Sequence, residues 1–225
     1  MYENGYVSIM KGTWKIRVMK VTDIPITFGG KALHNIMNTL PAMLATYLFK
    51  SITIEDIRSA LATFVPSPAQ TPGRLNLFQF RHFKFLVDFA HNPAGLELLG
   101  DFQSKLDGTP KIGIISGTGD RRDDDIRELG RISAKYFDEI IIRCDKNLRG
   151  RTADEIVNLL VDGINETRTR EIPVKIILNE KDAIMWAYDT AKPGSLITIM
   201  CDVVAEALDL IKGLKEKEDA EDAAL

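Results

Sequence analysis

Three side chains with complementary chemistry, Arg74, Asp88 and His91, lie near one another in the middle of the sequence. Asp88 ends the apolar run FLVD, and His91 follows closely. A guanidinium, a carboxylate and an imidazole can bind a phosphate, a ribose hydroxyl and a base. Because ligands of open α/β folds collect beyond the carboxyl ends of strands, the spacing predicts a polar-ligand site. An ordinary strand-to-helix turn, with Asp88 in local hydrogen bonds, is the alternative.

A second charged segment, GTGDRR, follows another apolar run and contains Asp120, Arg121 and Arg122. Its glycines permit close backbone approach, and its charges can bind a carboxylate-bearing chain or a phosphate. Alternatively, the two arginines neutralise the acids at residues 123–125 on a solvated face. Arg149, in the run NLRGR, leaves the same choice between substrate contact and a salt bridge.

Two amides lie near the start of a predicted N-terminal helix, in the run HNIMN. Asn35 and Asn38 are three residues apart, so they share one helical face and can reach one base edge. The alternative is that they cap the helix start and face solvent.

The elements that position these residues alternate between strands and helices after residue 71. Runs of β-branched and aromatic residues predict strands, and apolar residues at helical spacing predict helices. This order predicts a Rossmann-like, mainly parallel sheet flanked by helices. The predicted strands are 75–80, 83–89, 111–116, 139–143, 174–178 and 196–200, and the predicted helices are 93–106, 124–136, 152–166, 182–190 and 203–214.

The sequence pattern of the first 70 residues predicts only part of an α/β domain. They contain a β-hairpin at residues 6–19 and helices at 31–49 and 53–64, which is too little for a whole α/β domain. A Pro- and Ser-rich linker at 65–73 follows. The mixed-charge segment 215–225 predicts a disordered tail.

Composition excludes several classes of protein. The chain has 225 residues, with 29 Lys and Arg against 32 Asp and Glu, and its formal charge of -3 argues against a general nucleic-acid surface. No run approaches the ~20 apolar residues of a membrane span, so we expect a cytoplasmic protein. Cys144 and Cys201 lie in apolar runs and are expected to be buried free thiols. The oligomeric state stays open, a homo-oligomer included.

The runs TPGRLNLF and LVDFAHNPAGLELL resemble the opening of the C-terminal domain of the Mur ligase family. The runs ITFGGKALHNIMN, GTGDRRDDDIRELG and NLRGR are similar to those of one branch, the cyanophycin synthetases. These similarities occur in the same order across about residues 6–211. The resemblance implies the C-terminal domain of a Mur ligase at residues 71–214. It also implies that residues 1–70 are the end of an incomplete central ATPase domain.

The resemblance also implies roles for the candidate residues, with ATP and Mg²⁺ as cofactors. It implies adenine contact for Asn35 and Asn38, phosphate contact for Arg74, ribose contact for Asp88, and a place beside the nucleotide for His91. Asp120, Arg121, Arg122 and Arg149 resemble substrate-binding positions. No metal ligand and no catalytic residue can be assigned. The phosphate-binding pattern GxxxxGK[ST] does not occur in the 225 residues, so we expect this chain alone to be inactive.

The function implied by the resemblance is ATP-dependent ligation of arginine to the side chains of a poly-aspartate backbone. The DNPR element of some peptidoglycan ligases is absent, which argues against that branch. Another ligase of the Mur or folylpolyglutamate type is the enzymatic alternative. A non-catalytic module that binds a nucleotide or a protein partner is the alternative from a different class.

Overall fold

The computed structural model describes residues 1–224 and divides the chain into two compact units, Met1–Pro66 and Ser67–Leu225. The division lies within the expected linker. The elements of the N-terminal unit are β1 (Tyr2–Glu3), β2 (Tyr6–Lys11), β3 (Trp14–Lys20), α1 (Leu33–Tyr47) and α2 (Ile54–Thr63). The three strands form an antiparallel sheet, and a buried apolar cluster joins the two longer strands to both helices.

The C-terminal unit is a six-stranded sheet with helices between its strands. The strand order is β4-β5-β9-β6-β7-β8, and every neighbouring pair is parallel except β4 and β5. The elements are β4 (Asn76–Gln79), β5 (Lys84–Asp88), α3 (Pro93–Ser104), β6 (Lys111–Ile115), α4 (Asp123–Tyr136), β7 (Glu139–Ile142), α5 (Ala153–Thr167), β8 (Val174–Ile176), α6 (Glu180–Asp189), β9 (Leu196–Met200) and α7 (Val204–Ala223). This architecture confirms the predicted fold class.

Local sequence explains where these helices begin and how closely they pack. Asn92 caps α3 by accepting a hydrogen bond from the backbone of Gly95, and Thr152 forms a capping box with Glu155 at the start of α5. Helices α4 and α5 approach closely because Gly163 faces the backbone carbonyl of Arg127. A Cβ at Gly163 would lie 1.9 Å from that carbonyl oxygen, so only glycine fits there.

The C-terminal segment corrects one expectation. We expected disorder from residue 215, but α7 continues to Ala223, while Leu225 lies outside the described residues. The extension has partners that the local sequence does not reveal. The Glu218 carboxylate accepts a hydrogen bond from the backbone of Arg81 at 2.9 Å, and the Arg81 side chain pairs with Asp222. Contacts to the turn after β4 therefore order the helix end.

Two further expectations concern membrane-spanning segments and thiols. No helix among residues 1–224 is both long and apolar enough to cross a lipid bilayer. Cys144 and Cys201 are free and buried, which confirms the expected state of both thiols. Burial raises the pKa of the Cys201 thiol to about 12, so this thiol is protonated at neutral pH.

Candidate functional site

The parallel strands β5, β6, β7 and β9 end at the same edge of the sheet, where a cavity of about 140 Å³ opens. Polar residues follow the strands directly. Ser116 comes after β6, Arg143 after β7, and Asp202 shortly after β9. Three of the predicted binding residues also line the cavity, namely His91, Arg121 and Arg149. The sheet thus brings charged groups from distant parts of the sequence to one place.

The loops after β6 and β7 brace one another beside the cavity. Arg149 Nη1 lies 2.6 Å from Asp120 Oδ2. Arg151 donates hydrogen bonds at 2.9 Å to the backbone carbonyls of Gly119 and Arg121. Gly119 is required by this packing, since an added Cβ would lie 2.0 Å from the carbonyl oxygen of Leu148. The cavity wall is therefore built by two segments that hold each other in place.

Arg121 differs from the other arginines of these loops. Among residues 1–224, no oxygen atom accepts a hydrogen bond from its guanidinium, although the side chain lines the cavity. Arg122, in contrast, donates to both carboxylate oxygens of Asp125, at 3.0 and 2.9 Å, and its side chain is 84% exposed. Arg122 thus makes the ion pair that the sequence left as an alternative. Arg121 makes no such pair within residues 1–224, and ligand contact stays a prediction for it.

Asp88 is buried at the end of β5, with 8% of its surface exposed. Its two carboxylate oxygens accept hydrogen bonds from the backbone of Leu75 at 3.0 Å and of Ala90 at 2.8 Å. Burial raises the pKa of this carboxyl, while the hydrogen bond from Leu75 and the charge of Arg74 oppose the rise. These contacts hold Leu75 in a left-handed conformation with φ of 50°. Asp88 therefore organises the turn, as the local alternative states, and its ribose contact stays a prediction.

Arg74 and His91 meet at the ring of Phe89. The Arg74 guanidinium lies 5.6 Å from the ring centroid, and the His91 ring lies 5.1 Å from it. His91 Nδ1 is 3.1 Å from the carbonyl oxygen of Phe89. Because a carbonyl can only accept a hydrogen bond, this contact favours a proton on Nδ1 and leaves Nε2 as an acceptor in the neutral ring. Arg74 is exposed and can reach an anion outside the turn.

Asn35 and Asn38 belong to helix α1 of the N-terminal unit. The side-chain amide of Asn35 donates a hydrogen bond to the carbonyl of Ile26 at 2.8 Å. Asn38 is exposed. The Asn35 side chain therefore anchors the segment before the helix, and adenine contact stays a prediction for both residues.

Arg143 is a residue of this site that our sequence analysis missed. It follows β7, is 2% exposed, and lines the cavity. Its Nη1 lies 2.5 Å from Asp145 Oδ1, its Nη2 donates to the carbonyl of Met200, and its Nε lies 3.2 Å from Glu180 Oε2. A charged residue directly after the apolar run III at residues 140–142 was the available signal. Its partners lie on other elements, which local sequence does not reveal.

Carboxylates that could hold a metal ion gather elsewhere. Within residues 1–224, the group with suitable spacing is Glu218, Asp219 and Asp222 near the end of α7. Lys215 and Arg81 already pair with these acids, so this group is an ion-pair cluster of the helix end. It gives no support for a metal at the sheet edge.

Comparison with known proteins adds family information to this geometry. Residues 73–202 match the family described as Mur ligase, glutamate ligase domain. The chain is 42% identical to the cyanophycin synthetase of Synechocystis sp. over 215 residues, which cover 96% of this chain and 24% of that protein. It is 32% identical to the UDP-N-acetylmuramoyl-L-alanyl-D-glutamate--2,6-diaminopimelate ligase of Aquifex aeolicus over 72% of this chain and 31% of that protein. The chain thus spans about a quarter of the cyanophycin synthetase that it matches.

Solved structures show the same fold at lower identity. A bifunctional folylpolyglutamate synthase/dihydrofolate synthase with Mn, AMPPNP and L-glutamate bound has a TM-score of 0.66 and 17% identity, covering 94% of this chain and 45% of that one. The corresponding protein from Yersinia pestis CO92 has a TM-score of 0.63 and 17% identity, covering 95% of this chain and 44% of that one. At such identities the likeness concerns the fold.

Proposed function

Because the chain belongs to the Mur ligase family, we propose that it forms part of an ATP-dependent amide ligase resembling cyanophycin synthetase. In this reaction the side-chain carboxylate of a poly-aspartate backbone is activated as an acyl phosphate. The α-amine of arginine then attacks the carbonyl carbon. An isopeptide bond forms, phosphate leaves, and the attacking amine releases a proton.

The observation that carries this proposal is the charge pattern of the cavity at the sheet edge. The Arg121 guanidinium donates no hydrogen bond within residues 1–224, and Asp145 and Asp202 line the same cavity. A free amino acid carries a carboxylate and an ammonium group, which these opposite charges match. The cavity therefore suits the amino acid that supplies the amine, with its carboxylate at Arg121. Arg149 contributes a second guanidinium, held by Asp120.

Arg74, which precedes β4, and Asp88, which ends β5, fit a nucleotide in part. Arg74 is exposed and can pair with a phosphate. Each Asp88 oxygen already accepts one backbone hydrogen bond, and a carboxylate oxygen can accept a second, so a ribose hydroxyl remains compatible with this residue. ATP would supply the phosphoryl group that activates the carboxylate, with Mg²⁺ to neutralise its charge. We assign no ligand of Mg²⁺ to a residue of this chain.

Two alternatives predict different ligands. Another Mur or folylpolyglutamate-type ligase would bind a different amino acid, such as L-glutamate. A non-catalytic module would bind a nucleotide or a protein partner and no amino acid. The cavity favours a ligase that binds an amino acid over a non-catalytic module, because Arg121 and the two aspartates line it.

Isothermal titration calorimetry tests this proposal on the chain itself. L-Arginine, L-lysine and L-glutamate are titrated separately into the protein at pH 7.5. We expect L-arginine to bind most tightly. Tighter binding of L-glutamate would support the other type of ligase. Absence of heat with all three amino acids would contradict an amino-acid site.

A further inference from the structure

Strand β8 forms one edge of the six-stranded sheet, with β7 as its parallel neighbour. Just after β8, the backbone N–H of Ile177 donates a hydrogen bond to the carbonyl of Ile142 at 2.9 Å. In a parallel pair of strands, alternate residues direct their backbone groups to the same neighbour. Lys175 and Ile177 therefore face β7, and the backbone groups of Val174 and Ile176 point away from the sheet.

The outward backbone groups of β8 are available to another strand. Among residues 1–224, no hydrogen bond involves the N–H or the C=O of Val174 or Ile176. All three residues of β8 are exposed, so no helix or loop of the described chain covers this edge. Two donors and two acceptors thus stand ready to extend the sheet, which is the arrangement that edge strands use to pair with another chain.

The side chains of this edge divide between two faces of the sheet. Lys175 lies on the face that carries α6, because its Nζ is 4.7 Å from the ring centroid of Trp186. Successive side chains of a strand point to opposite faces, so Val174 and Ile176 share the other face. They are 37% and 53% exposed, and Leu178 is 47% exposed. Three of the five exposed large hydrophobic side chains of residues 67–224 therefore lie at alternate positions of one segment.

Charge decides which kind of strand fits this edge. Lys175 is the one charged residue in the sequence of segment 172–178, and its ammonium forms no ion pair among residues 1–224. A symmetric antiparallel pair with a second copy would set Val174 opposite Ile176 and Lys175 opposite its own counterpart. Like charges directly opposite one another destabilise a strand pair, whereas an acid opposite a lysine stabilises it. The edge therefore favours an acidic strand over a second copy of β8.

We propose that β8 binds an extended peptide segment in which apolar and acidic residues alternate, as an added antiparallel strand. Directly opposite side chains of such a pair lie on the same face. The apolar residues of the segment contact Val174 and Ile176, and an acidic residue faces Lys175. Backbone hydrogen bonds to Val174 and Ile176 hold the segment. None of these three residues lines the cavity described above, so this inference does not depend on the proposed function.

Amide hydrogen exchange measured by NMR tests the proposal on the whole wild-type chain. A capped peptide of alternating Val and Asp is titrated into isotope-labelled protein. We expect exchange of the Val174 and Ile176 amides to slow, while the Ile177 amide, which already donates to Ile142, changes little. A peptide of alternating Val and Lys should bind more weakly, and so should poly-L-aspartate, which lacks apolar residues.

Three results would overturn the proposal. Unchanged exchange at both Val174 and Ile176 would exclude an added strand. Equal binding of the Val–Lys peptide or of poly-L-aspartate would exclude the alternating apolar and acidic pattern. Dimerisation of the free chain in sedimentation experiments, with slowed exchange at the same two amides, would show that a second copy occupies the edge.

A proline substitution tests the role of the outward backbone. Proline is tolerated at the first residue of an edge strand when the N–H that it replaces faces solvent, as at Val174. Val174→Pro and Val174→Ala both change the apolar side chain, and of the two only proline removes the donor. We expect Val174→Pro to bind the Val–Asp peptide about two- to tenfold more weakly than Val174→Ala, because one hydrogen bond is lost. Equal affinities would contradict a backbone contact at this residue.

A charge reversal tests the preference for acidic residues. Lys175→Glu should weaken the Val–Asp peptide and strengthen the Val–Lys peptide, by about twofold or more in each case. Lys217→Glu is the matched control, because Lys217 is exposed on α7, whose end contacts the turn after β4 at the opposite edge of the sheet. The control should bind both peptides like wild type. The same change of preference in both variants would show that net charge governs binding, and it would overturn the proposal.

Discussion

Arg149 Nη1 lies 2.6 Å from Asp120 Oδ2 and joins the loop after β6 to the loop after β7. Both side chains are about half exposed, so solvent screens the pair and it adds little to stability. We expect Asp120→Asn to leave the urea midpoint of unfolding nearly unchanged. Asp124→Asn, which affects the exposed pair with Arg127, is the control. A large loss of stability in Asp120→Asn alone would contradict this view.

Substitution of Gly163 is expected to destabilise the C-terminal unit strongly. Gly163→Ala would place a Cβ 1.9 Å from the carbonyl oxygen of Arg127 and push α4 and α5 apart. Overpacking of this kind typically costs ~1–3 kcal/mol or more. Gly213→Ala is the control, because Gly213 lies in α7 and an added Cβ meets nothing within 4 Å. Gly213→Ala should raise the free energy of unfolding by about 0.5–1 kcal/mol, since alanine favours the helical conformation more than glycine does. Equal urea midpoints for the two variants would refute the packing argument.

Asp88 should be needed for folding as well as for any nucleotide contact. Asp88→Ala leaves the buried backbone donors of Leu75 and Ala90 without their acceptor. An unsatisfied buried donor costs about 1–3 kcal/mol. Asp88→Asn keeps one carbonyl acceptor and should lose less stability in urea unfolding. His82→Ala, at an exposed turn, should be close to wild type. If Asp88→Ala unfolds at the wild-type midpoint, the two hydrogen bonds do not organise the turn.

The linker should be the first site of proteolysis. Residues 64–70 lie between α2 and β4, and Phe64 and Val65 are exposed. Dilute protease should therefore cut there and leave a stable fragment that begins near residue 71, as mass spectrometry would show. An initial cut between residues 88 and 116 would be inconsistent with an independently folded C-terminal unit.

The fold was predictable because its signals are local. Each apolar run of the C-terminal unit became a strand, and Thr152 and Asn92 mark helix starts by their own capping contacts. The end of α7 was not predictable, because its partner Arg81 lies far away in sequence. The same reason hid Arg143, whose buried position depends on Glu180 and Met200.

The candidate site was predictable only in outline. Asp120, Arg121, Arg122 and Arg149 could be placed at the sheet edge because they follow predicted strands. Which of the two arginines forms an ion pair with a neighbouring acid could not be read from the sequence, since Arg121 and Arg122 are adjacent. The structure separates them because Arg122 pairs with Asp125 and Arg121 lines the cavity.

Ligand binding by Arg121→Ala and Arg122→Ala tests the central claim most directly. The two variants remove the same charge from adjacent positions. Of these two residues, Arg121 lines the cavity and Arg122 does not. Calorimetric titration with L-arginine should show a loss of affinity of roughly tenfold or more for Arg121→Ala, as expected for a charge-assisted hydrogen bond. Arg122→Ala should bind like wild type. Equal affinities of the two variants, or a greater loss in Arg122→Ala, would contradict an amino-acid site built around Arg121.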